Sequence, residues 1–248
     1  MAQQIRVWDG PLRIFHWLLV VSVVTALLTG WQGGSWMDWH ARAGLFIVGL
    51  LSFRLAWLLL GSTYARLSTL LGALLSLPQY LRGDWRRLGH NPLGVLSVFA
   101  MLGMLSWQAV SGLFTNDDIA FTGPLYKLVS SSLSSDLTRL HKLGMWIIIG
   151  LIALHILAIV VHAVLKKHNL VKAMLTGKTE QHYPEQKPAQ GGRWLAFVCA
   201  LAIALGAVYM ASGEWQSKPP PAPAVAPAWY ILVFKLHKYG RQLATFFA

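Results

Sequence analysis

The sequence predicts an all-α integral membrane protein: a four-helix bundle, then a fifth transmembrane helix and a C-terminal amphipathic helix. Three observations carry this. Of 248 residues, 55% are hydrophobic and only 12% are charged, against about 25% charged in soluble domains. The apolar residues gather into five runs, each near the roughly 20 residues a bilayer-crossing helix needs. The ionisable groups inside the first four runs are all basic, and several are histidines.

The chain divides as follows. Residues 1–11 are a short lead closing on Trp8-Asp9-Gly10-Pro11, and Pro11 suits the opening of a helix. The first span is predicted over about 12–31, with Arg13 at its mouth and His16 just inside. The loop 32–38 leads to a second span over about 39–60, which contains His40, Arg42 and a deep Arg54. The connection 61–92 carries Arg66, Arg82, Arg86, Arg87 and His90. Within it, 67–81 is amphipathic enough to lie on a membrane surface. A third span over about 92–114 has no histidine. A polar stretch, 115–138, holds Asp117, Asp118, Asp136 and a serine run, and the fourth span covers 139–168. These spans form a core over 1–178. A basic linker over 179–193 precedes the fifth span at 194–212. The tail, 213–248, pairs a proline-rich spacer at 218–228 with a final helix. That helix sets Leu232, Leu236, Tyr239, Leu243 and Phe246 against Lys235, Lys238 and Arg241.

Charge and cysteine use exclude other classes. The net charge of +12 could mean nucleic acid, but no soluble domain is present to display a basic face. The Lys and Arg lie mainly in the lead, 61–92 and 166–193, while 32–38 and 115–138 are acidic or nearly neutral. The positive-inside rule then places the N-terminus in the cytoplasm and the tail outside. The first apolar run is expected to remain as an anchor. A single cysteine, Cys199, excludes a CxxCH haem attachment site and an iron–sulfur cluster held by this chain alone.

The histidines fall at two depths. His141 and His155 on the fourth span are fourteen residues apart, about 21 Å of helical rise and within about 40° of one face. His40 and His141 stand at the outer ends of their spans. His16, fifteen residues before Trp31, lies about as deep as His155. One intramembrane histidine is often only a helix contact, but two pairs at matched depths are what two stacked, bis-histidine haems require. The pairs would be His40 with His141 (outer) and His16 with His155 (inner). His162, seven residues past His155 on the same face, is the alternative inner ligand. Arg54, fourteen residues past His40, would pair with an inner propionate, and Arg42 with an outer one. Gly44 and Gly144 would let a flat macrocycle approach the backbone. Two haem b groups, held without covalent bonds, are therefore expected.

Five segments carry a resemblance: VWDGPLRIFHW at 7–17, DWHARAG at 38–44, FRLAWLLLGSTYARL at 53–67, GHNPLG at 89–94, and the run of LHKLG, LH and NLVKAMLTG in 140–177. Together they resemble the bacterial cytochrome b561 / Ni-hydrogenase b-type cytochrome family, over roughly 5–178. The resemblance implies a four-helix, two-haem cytochrome in the bacterial inner membrane. Such a protein passes electrons between the quinone pool and a redox partner, a hydrogenase or a periplasmic c-type cytochrome. It implies the same histidine pairs, and it assigns no role to 179–248. Six-coordinate haems leave electron transfer as the chain's own task, with quinol oxidoreductase activity beside it. His90, Asp117 and Asp118 are the candidate proton acceptors for a quinol. The rival readings are a proton or metal transporter and a non-redox membrane anchor. The transporter predicts carboxylates within the spans, and the first four have none.

Overall fold

Five helices of a computed structural model are long and apolar enough to cross a membrane, among the described residues. Those residues are 4–119, 121–165, 167, 169–181 and 185–216. The proline-rich spacer, the final helix, His168, His182 and His237 lie outside them.

The chain opens with strand β1 (Gln4–Arg6) and helix α1 (Gly10–Gln32). A one-turn 3-10 helix leads to α2 (Met37–Leu60), followed by two short helices, α3 (Leu67–Leu75) and α4 (Leu77–Leu81). Next come α5 (Pro92–Gly112), α6 (Ser131–Leu165), α7 (Leu170–Thr176), strand β2 (Lys178–Glu180) and α8 (Trp194–Ser212). The long helices alternate in direction. The end where the chain enters is the proximal end, and the opposite one is distal. Large apolar side chains such as Val21, Leu59, Leu154 and Leu205 remain exposed, as expected of helices whose outer faces meet lipid.

Local chemistry sets the helix starts. Asp9 Oδ1 accepts from the Leu12 amide at 2.7 Å, with Pro11 in the first turn. Asn91 Oδ1 accepts from Gly94 at 2.8 Å, with Pro92 behind it. Asn169 Oδ1 takes the Lys172 amide at 2.8 Å. Each cap contributes about 1 kcal/mol. Helix α7 ends on Gly177 at φ 79°, a left-handed position that favours glycine.

Two expected boundaries move. The fourth span does not start at 139. Helix α6 begins at Ser131, so the serine run is helical and His141 sits ten residues inside rather than at the start. The extra turns are stable because their hydroxyls serve the loop after α5: Ser134 Oγ donates to the Phe114 carbonyl at 2.7 Å, and Thr138 Oγ1 accepts from the Asn116 amide at 3.1 Å. The amphipathic stretch 67–81 is two helices, separated at Ser76. Its buried Leu70 and Ala73 join Val95 and Leu58 in a small apolar cluster.

The proximal end is laced together. β1 pairs antiparallel with β2, Gln4 opposite Glu180, which joins the lead to the segment after α7. Asp9 Oδ2 accepts from Trp57 Nε1 at 3.1 Å and from the Ser62 hydroxyl. One carboxylate thus caps α1 and ties it to the end of α2. Trp57 is fully buried and stacks on Phe53.

Candidate functional site

The bundle brings four of its histidines into two pairs. At the distal level, His40 from α2 and His141 from α6 have ring centroids 6.0 Å apart with planes nearly perpendicular, at 87°. At the proximal level, His16 from α1 and His155 from α6 are 6.5 Å apart at 51°. With a metal–nitrogen bond of about 2.0–2.1 Å and about 1 Å from ring nitrogen to ring centre, imidazoles on opposite sides of one metal have centroids roughly 6–6.5 Å apart. Both pairs stand at that spacing.

Each distal ring is held by its Nδ1. His40 Nδ1 lies 2.8 Å from the carbonyl oxygen of Ala26 on α1, and His141 Nδ1 lies 3.2 Å from Ser111 Oγ on α5. Nε2 of each is left for a ligand. Gln108 Nε2 donates to the His141 carbonyl at 2.8 Å, and its Oε1 is buried without a partner. A cavity of about 620 Å³ lies between the helices here, lined by both histidines, Gly44, Gln108, Trp31, Trp146 and Lys142. It is large, apolar and bordered by few polar groups, as a flat hydrophobic cofactor demands.

Glycines make this arrangement possible, though not both of those the sequence pointed to. A Cβ on Gly30 would stand 2.8 Å from His40 Nδ1, and one on Gly112 would stand 2.9 Å from His141 Cε1. The rings fill the space that side chains there would take. Gly44 faces open space and lines the cavity. Gly144 does not face a macrocycle; it packs against Gln108 and Met104 of α5.

The other candidates divide. Arg54 is buried, at 3% exposure, and donates to the Ala65 carbonyl at 3.1 Å. Asp9 acts on it electrostatically. Arg42 is exposed and lies over the ring of Trp39 at 5.3 Å, so the cation lining the distal cavity is Lys142. His162 turns its Nδ1 to the Ala158 carbonyl of its own helix at 2.9 Å. Asp117 lines the distal cavity, and its Oδ1 accepts from the amides of Ile119 and Phe121. Asp118 is exposed at φ 59°.

His90 lies before α5 in the proximal loop and packs against Trp8, with ring centroids 4.7 Å apart and planes tilted by 53°. Burial lowers its pKa to about 4, with the nearby Arg54 cation adding to the effect. It is therefore neutral at pH 7. Its Nδ1 is buried without a partner, as is Arg13 Nε. Ser111, Gln108, Gly30 and Gly112 carried no sequence signal as site residues, because each acts on a histidine of a neighbouring helix; Lys142 adjoins His141 on α6.

An all-α membrane bundle with inward histidines paired at two levels is the build of a membrane b-type cytochrome. The chain belongs to the prokaryotic cytochrome b561 family, whose model matches residues 7–177. Membership makes it a haem b protein of membrane electron transport. Among its relatives is the probable Ni/Fe-hydrogenase B-type cytochrome subunit of Rhizobium leguminosarum, 24% identical over 71% of this chain and 89% of that one. A protein of the same description from Cupriavidus necator is 24% identical over 69% and 85%. The probable Ni/Fe-hydrogenase 1 B-type cytochrome subunit of Escherichia coli K12 is 22% identical over 69% and 88%. No solved structure matches. The matched residues end at Gly177, so α8 lies beyond the family core.

Proposed function

We propose that this protein holds two b haems, one between His40 and His141 and one between His16 and His155, and carries electrons through the membrane between the quinone pool and a redox partner. The observation that carries this is the spacing of the two ring pairs, 6.0 and 6.5 Å, at opposite ends of one bundle. Haem, when bound, would supply one-electron redox chemistry. The chain supplies the rest. His40 and His141 present Nε2 because Ala26 and Ser111 occupy Nδ1. The apolar walls of the distal cavity exclude water, and Lys142 and Arg54 offset the charge of the carboxylates a haem brings.

By the positive-inside rule, the basic loops favour a proximal end in the cytoplasm and a distal end outside, across a bacterial inner membrane. A partner of the distal haem is then periplasmic. Its relatives, named as hydrogenase B-type cytochrome subunits, favour a hydrogenase; a c-type cytochrome is the second candidate. Pyridine haemochrome analysis of the purified protein is expected to give two haems b per chain, all extractable with acidified acetone. A stoichiometry of one or none, or haem retained on the polypeptide, would overturn this reading.

A further inference from the structure

Three side-chain polar atoms among the described residues are buried without a hydrogen-bond partner: Arg13 Nε, His90 Nδ1 and Gln108 Oε1. Gln108 lines the distal cavity. The other two lie at the proximal end. Native structures seldom leave such atoms unpaired, so two together call for a ligand.

Their chemistry and placement say which. The Nε–H of arginine can only donate, and a neutral histidine can carry its proton on Nδ1. Arg13 precedes His16 by three residues on α1, about 4.5 Å nearer the end of the bundle. His90 lies near His16, His155 and Arg54. One short piece of structure holds both donors. Trp8 packs against the His90 ring at a tilt of 53°, and its amide donates to the Gly177 carbonyl at 3.1 Å. Arg13 Nη1 donates to the Leu175 carbonyl, and a Cβ on Gly177 would stand 3.2 Å from Arg13 Nε. The lead and the end of α7 therefore hold two donors against the His16–His155 pair. Arg54, the cation the sequence singles out, already donates to Ala65.

We infer that Arg13 Nε and His90 Nδ1 receive the propionate carboxylates of a haem held by His16 and His155, with Arg54 balancing the charge behind them. This rests on the two-haem reading. It accounts for both orphaned donors with one ligand. It also turns the polar edge of that haem toward the proximal surface and leaves its apolar edge in the bundle.

Redox-difference infrared spectra of the whole protein, with haem carrying ¹³C in its propionates, test it. In Arg13→Gln and His90→Leu the labelled carboxylate bands of the proximal haem are expected to shift. At fixed poise its ratio of reduced to oxidised form should fall several-fold, because a donor that stabilised the more negative state is gone. The distal haem should not move. His90→Gln, which keeps a side-chain donor, should return the bands toward wild type. It decides the matter if His90→Leu fails to hold haem, and shifted bands in that variant would count against the assignment. Two haems with unmoved bands and ratios in Arg13→Gln and His90→Leu would overturn this inference alone. Fewer than two haems in the wild type would overturn the two-haem reading itself.

Discussion

Ser111 places its hydroxyl oxygen 3.2 Å from His141 Nδ1 and 3.2 Å from the carbonyl oxygen of Gln108. A hydroxyl has one hydrogen. With that hydrogen given to the carbonyl, the oxygen accepts Nδ1–H from His141 and fixes the tautomer with Nε2 free. An accepted Nδ1–H also makes imidazole a stronger electron donor to a metal. Ser111→Ala should therefore raise the midpoint potential of the proposed distal haem by roughly 20–60 mV, the equivalent of about 0.5–1.5 kcal/mol. The proximal haem should stay fixed. Potentiometric titration of the visible bands checks both statements, and a lowered distal potential would contradict the tautomer.

The ring-facing glycines give a steric prediction. Gly30→Ala and Gly112→Ala each place a Cβ within 2.9 Å of a distal imidazole, so each should displace a ring and lose the distal haem. Gly44 is different, because a Cβ there meets nothing within 4 Å. Gly44→Val should fold normally yet hold less distal haem, since the valine takes cavity space. Haemochrome content near one per chain is the expected result for all three. Two haems in Gly44→Val would show that the cofactor does not use that wall.

The ligand pairs separate by knockout. His40→Ala and His141→Ala should each abolish the distal signal and leave the proximal one. His16→Ala and His155→Ala should do the reverse. His162→Ala should keep both, because its ring is engaged with the Ala158 carbonyl. Electron paramagnetic resonance of the oxidised protein resolves two low-spin haems and counts what remains. Loss of a haem in His162→Ala with both retained in His155→Ala would reassign the proximal ligand.

Arg54→Leu acts through charge. Reduction adds an electron, and a nearby cation favours the reduced state; its loss should lower the proximal midpoint potential. The Ala65 carbonyl also loses its donor, at a cost of about 1–3 kcal/mol. Redox titration and thermal haem loss read the two effects separately. An unchanged or raised proximal potential would place Arg54 outside the charge balance of the site.

The spans were legible because apolar length is a strong signal, and the histidine spacing on the fourth span placed two rings on one face. The start of α6 was not legible, since a serine run reads as loop until Phe114 and Asn116 are there to accept and donate. Gly144 misled because one turn from a histidine is a position two functions share, and Gln108 from α5 claims it. Gly30 and Gly112 were invisible because the rings they admit belong to other helices. Arg42 read as a haem partner by its nearness to His40, but the adjacent aromatic Trp39 captures it. Asp9 read only as part of a polar lead, although it links the start of α1 to the end of α2.

That last link gives α8 a consequence outside the family core. α8 packs on α2 through small residues: Ala200 and Ala204 are buried, and a Cβ on Gly49 would stand 2.8 Å from Val208 Cγ2. Near its start, Phe197 lies against Phe53 and Trp57, at 5.9 and 6.5 Å between centroids. Trp57 in turn donates to Asp9, which caps the helix bearing His16. Support therefore runs from α8 through Trp57 to the proximal pair. The distal rings take their hydrogen-bond partners from Ala26 on α1 and Ser111 on α5, not from α8 or Trp57. Truncation after Arg193 should weaken proximal haem binding first on heating, while the distal haem survives to a higher temperature. Phe197→Ala should reproduce part of this, since it removes the aromatic contact and keeps the helix. Deleting 218–248 should change neither haem, because α8 remains whole. Spectra recorded through a thermal ramp at a poise that separates the two haems give the order of loss. Simultaneous loss of both haems, or distal loss first, would mean that α8 does not act through Trp57.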